Sequence, residues 1–148
     1  MAVPTGSGTE VLKAHSFEDI NVLLTDLIIG VQHHTYTVLS YISHCTSVGS
    51  ASDVGMLQLR CFDAFGGTTD SVVQIATYTL AANETFVWND KFSFFGGEPA
   101  NQGIMNNAAT QLAITTQNSS VVQTLEHSAT DTAAIYDVHV TFLDQDWT

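Results

Sequence analysis

The stretch Val72–Phe95, VVQIATYTLAANETFVWNDKFSFF, predicts three short strands that are separated by two turns. Residues 72–80 and 85–88 are rich in β-branched and aromatic side chains, which suit the pleated, half-buried surface of a sheet. Ala81–Glu84 between them predicts a tight reversal, and a second turn precedes the strand at 92–95. Three short strands so close together indicate an antiparallel β domain.

The same signature extends outward from this stretch. Residues 56–65 alternate between apolar and polar side chains, the period of a sheet with one face against water. About eight strands with turn signals between them predict a single all-β domain, an antiparallel β-sandwich of jelly-roll type. The other expected strands are 35–45, 111–117, 121–125 and 134–143, with a further strand over 20–29 that a loop interrupts at Asp26.

The two ends of the chain differ in composition from the predicted sandwich at 19–148. Residues 1–18 contain Pro, Gly, Ser and Thr without sustained periodicity, and the alternatives are a frayed terminus or an extended arm. An arm would lie on a neighbouring subunit and use Val3, Pro4, Val11, Leu12 and Phe17 as anchors. The last residues, 144–148, form a short acidic tail, and loops longer than usual are expected at 100–110 and 126–132.

Charge excludes several classes of partner. Fifteen acidic residues against three basic ones give a net charge of −12, and only 12% of residues are charged. A nucleic-acid surface needs clustered Lys and Arg, so binding to nucleic acid is not expected. Docking on an anionic membrane is not expected either. The chain shows no signal peptide and no apolar run long enough for a membrane span, which predicts synthesis in the host cytoplasm. Cys45 and Cys61 are then expected as free thiols, with a cross-strand disulfide as the alternative.

Motifs that would carry catalysis or hold a cofactor are missing from the sequence. His33 and His34 are adjacent, so on a strand they point to opposite faces, and only His44 and His139 could converge from separate strands. The acidic residues Asp63, Asp70, Asp90, Glu98, Asp144 and Asp146 are dispersed and are expected to be solvated rather than catalytic or calcium-binding. We therefore expect no enzyme activity, no metal and no cofactor.

Aromatic residues are denser near the strand at 92–95 than one small core requires. Trp88 and Phe92 lie there, and Trp147 lies near the C-terminus. One interpretation is a core Trp that is flanked by core Phe residues. The other is a subunit interface, where aromatic side chains are enriched. The sequence leaves both open.

Five segments of the chain resemble a group of small virion proteins of tailed bacteriophages. The steps that carry the likeness are Leu80-Ala81-Ala82-Asn83 before a strand, Lys91-Phe92 opening the next one, and Asp137–Phe142 in the last. The likeness covers about residues 20–146, although the two long loops depart from it. The segments are TYTVLS (35–40), MLQLRCFD (56–63), LAANETFVWNDKFSF (80–94), QLAIT (111–115) and DVHVTFLDQD (137–146).

The resemblance implies a β-sandwich that decorates the exterior of a capsid, or that attaches near the neck or tail, and it offers no catalytic residues. We expect a capsid decoration (cement) protein that bridges neighbouring major capsid protein subunits as a dimer or trimer, through repeated modest contacts. One alternative is a neck, tail or fibre-associated sandwich. A carbohydrate-binding jelly roll with Trp88 or Trp147 as a stacking platform is another, and a β-sandwich hydrolase is the weakest.

Overall fold

A computed structural model describes residues 9–31, 34–49, 53–62, 70–96 and 123–146. These residues form nine strands, and among them no helix is long and apolar enough to cross a membrane. The strands are β1 (Thr9–Ile20), β2 (Leu24–Ile29), β3 (His34–Ser47), β4 (Gly55–Phe62), β5 (Asp70–Tyr78), β6 (Glu84–Trp88), β7 (Phe92–Phe95), β8 (Thr124–Ala129) and β9 (Ile135–Asp146).

The strands form two antiparallel sheets, which confirms the predicted all-β sandwich. Sheet A has the order β1-β9-β3-β6, and β7 pairs with β3 beyond the end of β6. Sheet B has the order β2-β8-β4-β5. Since β6 and β7 occupy one position in sheet A, the described strands fill four positions in each sheet, and their order is that of a jelly roll.

Alternating side chains of the central strands build the core between the sheets. Along β9 every second residue from Tyr136 to Phe142 is buried, and the intervening ones are half-buried. The ring of Tyr78 on β5 stacks on Phe86 of β6 at 4.4 Å, and His127 of β8 meets Tyr136 of β9 edge-on at 4.9 Å. The sheets are therefore aligned, with β5 facing β6 and β8 facing β9.

The tight reversal that the sequence predicts before β6 is present. Asn83 adopts a left-handed conformation with φ of 68°, which Asn tolerates better than most residues. Its amide donates to the Cys45 carbonyl at 2.6 Å, and the amide of Ala81 donates to the Glu84 carboxylate at 2.6 Å. These two hydrogen bonds fix the turn, which connects β5 of sheet B directly to β6 of sheet A.

The first strand corrects the predicted N-terminal arm over residues 9–18. These residues lie in β1, which pairs antiparallel with β9 from Thr9 to Ile20 with one irregularity after Phe17. The sequence does not indicate this strand, because almost all its side chains are exposed and it therefore lacks an apolar alternation. Backbone pairing with β9 places it in the sheet. The acidic tail likewise begins inside β9, and residues 1–8 and 147–148 lie outside the described part.

Two other boundaries also differ from the prediction. The break in segment 20–29 falls at residues 21–23, and a bulge after Asp26 replaces the expected loop there. Glu126 and His127, which were expected in a loop, lie in β8 and are fully buried. The expected strand at 111–117 and the loop at 100–110 fall outside the described residues.

Candidate functional site

One side of the sandwich is formed by the edge strands β1 and β2. Residues Val11, Lys13, His15 and Phe17 point toward sheet B, because they pair directly with inward-facing residues of β9. The sheets touch here where the His15 ring donates from Nδ1 to the carbonyl oxygen of Leu27 at 2.8 Å. A groove of about 580 Å³ opens beside this contact, and its lining comes from residues 14–17 of β1 with Asp26, Leu27 and Ile29 of β2.

Apolar side chains are exposed along this side of the molecule. Leu12 is 64% exposed and Ile29 is 60% exposed, although both lie on strands. Val11, Val22, Leu23, Leu24 and Val31 are exposed as well. Single exposed apolar residues are normal, and here seven of them lie on, or next to, the same two edge strands. Sequence analysis named Val11 and Leu12 of this set, together with the half-buried Phe17, and did not name those of β2.

A buried carboxylate fastens β1 to the sheet. Asp144 of β9 lies 2.7 Å from Lys13 Nζ and accepts a hydrogen bond from His34 Nδ1 at 2.6 Å. Burial opposes ionisation of Asp144, but the bonds from Lys13 and His34 outweigh it and hold the pKa of this carboxyl below its usual range. The charge of Lys13, which points inward from an edge strand, is thus neutralised within the chain.

The opposite side of the sandwich is formed by β5 and by β6 with β7. The aromatic residues Trp88 and Phe92 are half-buried there and pack against the core. The Trp88 indole N–H is buried without a hydrogen-bond partner among the described residues. Val72, Val73 and Val87 are the exposed apolar residues on this side. Val3, Pro4 and Trp147 lie outside the described residues, so the structure does not place them.

A shallow depression of about 240 Å³ on the outer face of sheet A holds the two histidines that could converge. His44 and His139 both line it. His44 shares a hydrogen bond with Thr85 at 2.8 Å, and His139 shares one with Ser16 at 2.6 Å. No group of three or more possible metal ligands occurs in the described residues. The second nitrogen of His139 faces the Thr141 hydroxyl at 3.2 Å, and among the described residues no carboxylate is bonded to this ring.

Sheet B contains a buried polar row, where a wet face was expected. Glu126 of β8 is fully buried, and Gln58 of β4 donates to it at 3.1 Å. Arg60 Nε lies 3.1 Å from the other carboxylate oxygen, and its Nη2 lies 3.9 Å from Asp26 of β2. Burial raises the pKa of Glu126, although Gln58 and Arg60 act in the other direction. The row ties three strands of the sheet together.

A second polar cluster lies between the sheets. Asp53 is buried and accepts hydrogen bonds from the hydroxyls of Tyr136 and Thr130, the latter at 2.9 Å. The ring of His127 packs edge-on against Tyr136, and both its nitrogens are buried without a partner among the described residues. Burial lowers the pKa of His127 from 6.5 to about 4. The imidazole is therefore held neutral at pH 7.

The two cysteines lie in different sheets, and both are free. Cys45 of β3 is buried, and Cys61 of β4 is half-buried. Burial raises the pKa of both thiols, so neither is activated as a nucleophile. The structure thus contains free thiols and not the alternative disulfide.

Comparisons with solved structures return matches of low identity and low TM-score. No family model matches the sequence, and no curated protein matches it. A structure of Bacillus endospore appendages, described as disulfide-linked pili, aligns over 100% of this chain and 97% of that one at 9% identity, with a TM-score of 0.43. Modules of a Clostridium thermocellum endo-1,4-β-D-xylanase align over 97% of this chain but only 27% of theirs, at 11% identity and TM-score 0.41. A Cowpea mosaic virus empty particle gives 93% and 76% coverage, 14% identity and TM-score 0.37. Scores this low carry no functional conclusion.

Proposed function

We propose that this chain is a structural subunit that decorates the exterior of a bacteriophage capsid and bridges neighbouring major capsid protein subunits. One observation carries the proposal: the ten exposed large apolar side chains among the described residues all lie on, or next to, the edge strands of a rigid sandwich. Such residues suit repeated contacts with other proteins, whose modest strengths add up through avidity.

The state of the polar groups supports a non-enzymatic role. The buried acids Asp53, Glu126 and Asp144 are each bonded to partners within the chain. Net charge of −12 keeps the outer surface hydrated and disfavours nucleic acid, which suits a protein on the outside of a filled capsid. Within this proposal, Val3 and Pro4 are predicted contacts to the capsid, since they precede the edge strand β1.

The carbohydrate-binding alternative requires an exposed aromatic platform. Among the described residues, every exposed large apolar side chain is aliphatic, and Trp88 is half-buried with its indole nitrogen inside. No observation on the described residues favours the sugar alternative, so we do not propose it.

The test is co-sedimentation of the purified chain with empty heads that are assembled without it. We expect saturable binding at a fixed ratio to the major capsid protein. Deletion of residues 1–8 should weaken this binding, because it removes the predicted contacts Val3 and Pro4 and leaves β1 intact. The control Thr132→Lys, on the exposed turn before β9, should bind as wild type does. Absence of binding to heads would overturn the proposal, and binding to tails alone would replace it with the neck or tail alternative.

A further inference from the structure

Exposed apolar residues occupy two opposite sides of the sandwich. The first side, here called the β1/β2 side, carries Val11, Leu12, Val22, Leu23, Leu24, Ile29 and Val31. The second, here called the β5/β6 side, carries Val72, Val73 and Val87. Each side consists of one edge strand from sheet A and one from sheet B. Edge strands also present unpaired backbone groups, which natural proteins usually protect with charges or cover.

The strand directions make the two sides complementary. The described strands fill four positions in each sheet and every described pairing is antiparallel, so β1 runs opposite to β6, and β2 runs opposite to β5. When a second copy stands beside the first in the same orientation, its β1 meets β6 of the first copy antiparallel. Its β2 then meets β5 antiparallel as well. Both sheets continue at the same time, with the favoured hydrogen-bond pattern.

We propose that the β1/β2 side of one copy docks against the β5/β6 side of the next copy. The occupant of each apolar side is therefore a second copy of this chain. Such a contact joins different surfaces, so it is heterologous and closes into a ring or extends as a filament, according to the rotation between copies. The contact does not require a capsid, so it can be tested on the chain alone, separately from the decoration role.

The inward-pointing lysine of the β1/β2 side does not prevent this contact. An inward-pointing charge on an edge strand normally blocks pairing with another strand. Lys13 is such a charge, but it is neutralised by Asp144 at 2.7 Å. The groove between β1 and β2, about 580 Å³, offers room for the aliphatic side chain of the neighbour's Val73, which pairs with Leu59 and points inward. Leu12 and Ile29 lie on the outer faces, as do Val87 and Val72, so they would meet these residues of the neighbour across the new strand pairs. Burial of these side chains would supply the driving force.

Net charge makes the contact depend on salt. Each copy carries −12, so two copies repel one another at low ionic strength. Salt screens this repulsion between exposed charges, while the apolar contact is retained. Association is therefore expected to strengthen as salt rises, opposite to the behaviour of a contact that relies on ion pairs.

The experiment is sedimentation velocity of the full chain over a range of concentrations at low and high salt. One variant carries Leu12→Lys and Ile29→Lys on the β1/β2 side, and the other carries Val73→Lys and Val87→Lys on the β5/β6 side. The control carries Thr132→Lys and Ala133→Lys, the same charge change on the exposed turn between the central strands. Circular dichroism verifies that each variant remains folded.

We expect wild type and control to form rings or larger species, more so at high salt, and each variant alone to sediment as a monomer. An equal mixture of the two variants should form a one-to-one dimer, because each retains the side that the other lacks. A wild type that stays monomeric at every concentration and salt would overturn the proposal. So would either variant that still dimerises by itself, or a mixture that gives monomers only.

Discussion

The histidine buried between the sheets is expected to govern the acid sensitivity of the fold. His127 is fully buried, and both its ring nitrogens lack partners among the described residues. Its pKa is about 4 in the folded chain and about 6.5 when the chain unfolds. Above pH 6.5 the ring is neutral in both states, so it contributes nothing to the pH dependence. As pH falls below 6.5, the unfolded chain takes up a proton that the folded chain rejects, and the free energy of unfolding decreases.

The size of this effect follows from the difference between the two pKa values. A fall from 6.5 to about 4 corresponds to about 3 kcal/mol in total, with about 2 kcal/mol lost by pH 5. His127→Leu removes the titrating group and also two unpaired buried nitrogens, whose burial costs about 1–3 kcal/mol. The variant should therefore be at least as stable as wild type at pH 7 and should be less sensitive to acid.

The assay is urea denaturation at pH 7, 6, 5 and 4. The difference between wild type and His127→Leu isolates the histidine, because Glu126, whose pKa is raised, and Asp144, whose pKa is lowered, titrate in both proteins. Leu125→Val is the matched control, since it alters a buried side chain of the same strand without removing a titrating group and should leave the pH slope unchanged. If His127→Leu lost stability toward pH 5 as steeply as wild type, the assignment of the slope to this ring would be refuted.

Three further substitutions test the contacts that hold the fold. Asp144→Asn should lower the free energy of unfolding by about 1–3 kcal/mol at pH 7, since it leaves Lys13 and His34 without their buried carboxylate. Hydrogen exchange should accelerate first in β1, and equal protection of β1 in both proteins would contradict this role. Tyr41→Phe removes the 2.6 Å hydrogen bond to Tyr78 and should lower the free energy of unfolding, measured by chemical denaturation, by about 0.5–1.5 kcal/mol. An unchanged denaturation midpoint would show that the bond is not stabilising. Gly55→Ala places a Cβ against the Tyr78 ring and should lower the free energy of unfolding by about 1–3 kcal/mol. The control Ala82→Gly, at an exposed turn, should be nearly neutral. A Gly55→Ala protein as stable as wild type would mean that the Tyr78 ring moves freely.

Strands with one buried face could be predicted from the sequence. The segments that became β3, β4, β5, β6, β7 and β9 carry β-branched and aromatic residues in alternation, and all six were expected within a few residues of their bounds. The turn at Asn83 was also foreseeable, because the residue that tolerates a positive φ sits where the turn needs it.

Elements whose state depends on distant partners were missed. Glu126 and His127 have the composition of a loop, yet they lie at the centre of sheet B, because Gln58 and Arg60 from β4 surround the carboxylate and Tyr136 covers the ring. β1 was missed for the opposite reason: it owes its place to backbone pairing with β9 and buries little of its own. No local pattern encodes either effect.

The candidate site was predictable only in part. Val11, Leu12 and Phe17 were expected to contact a neighbour, but as an arm and not as an edge strand. The exposure of Leu24 and Ile29 was not predicted, because it depends on β2 lying at the end of sheet B. Which strand is an edge is a property of the whole topology, so apolar edges emerge only with the fold.

The most direct test of the account is electron cryo-microscopy of empty heads that have been incubated with the full chain. The account predicts ordered density on the capsid exterior, in which each sandwich spans neighbouring major capsid subunits and presents its β1/β2 side to the β5/β6 side of the next copy. Bare heads after incubation at saturating concentration would contradict the decoration role. Isolated copies, with both sides open to solvent, would instead contradict the contact between copies.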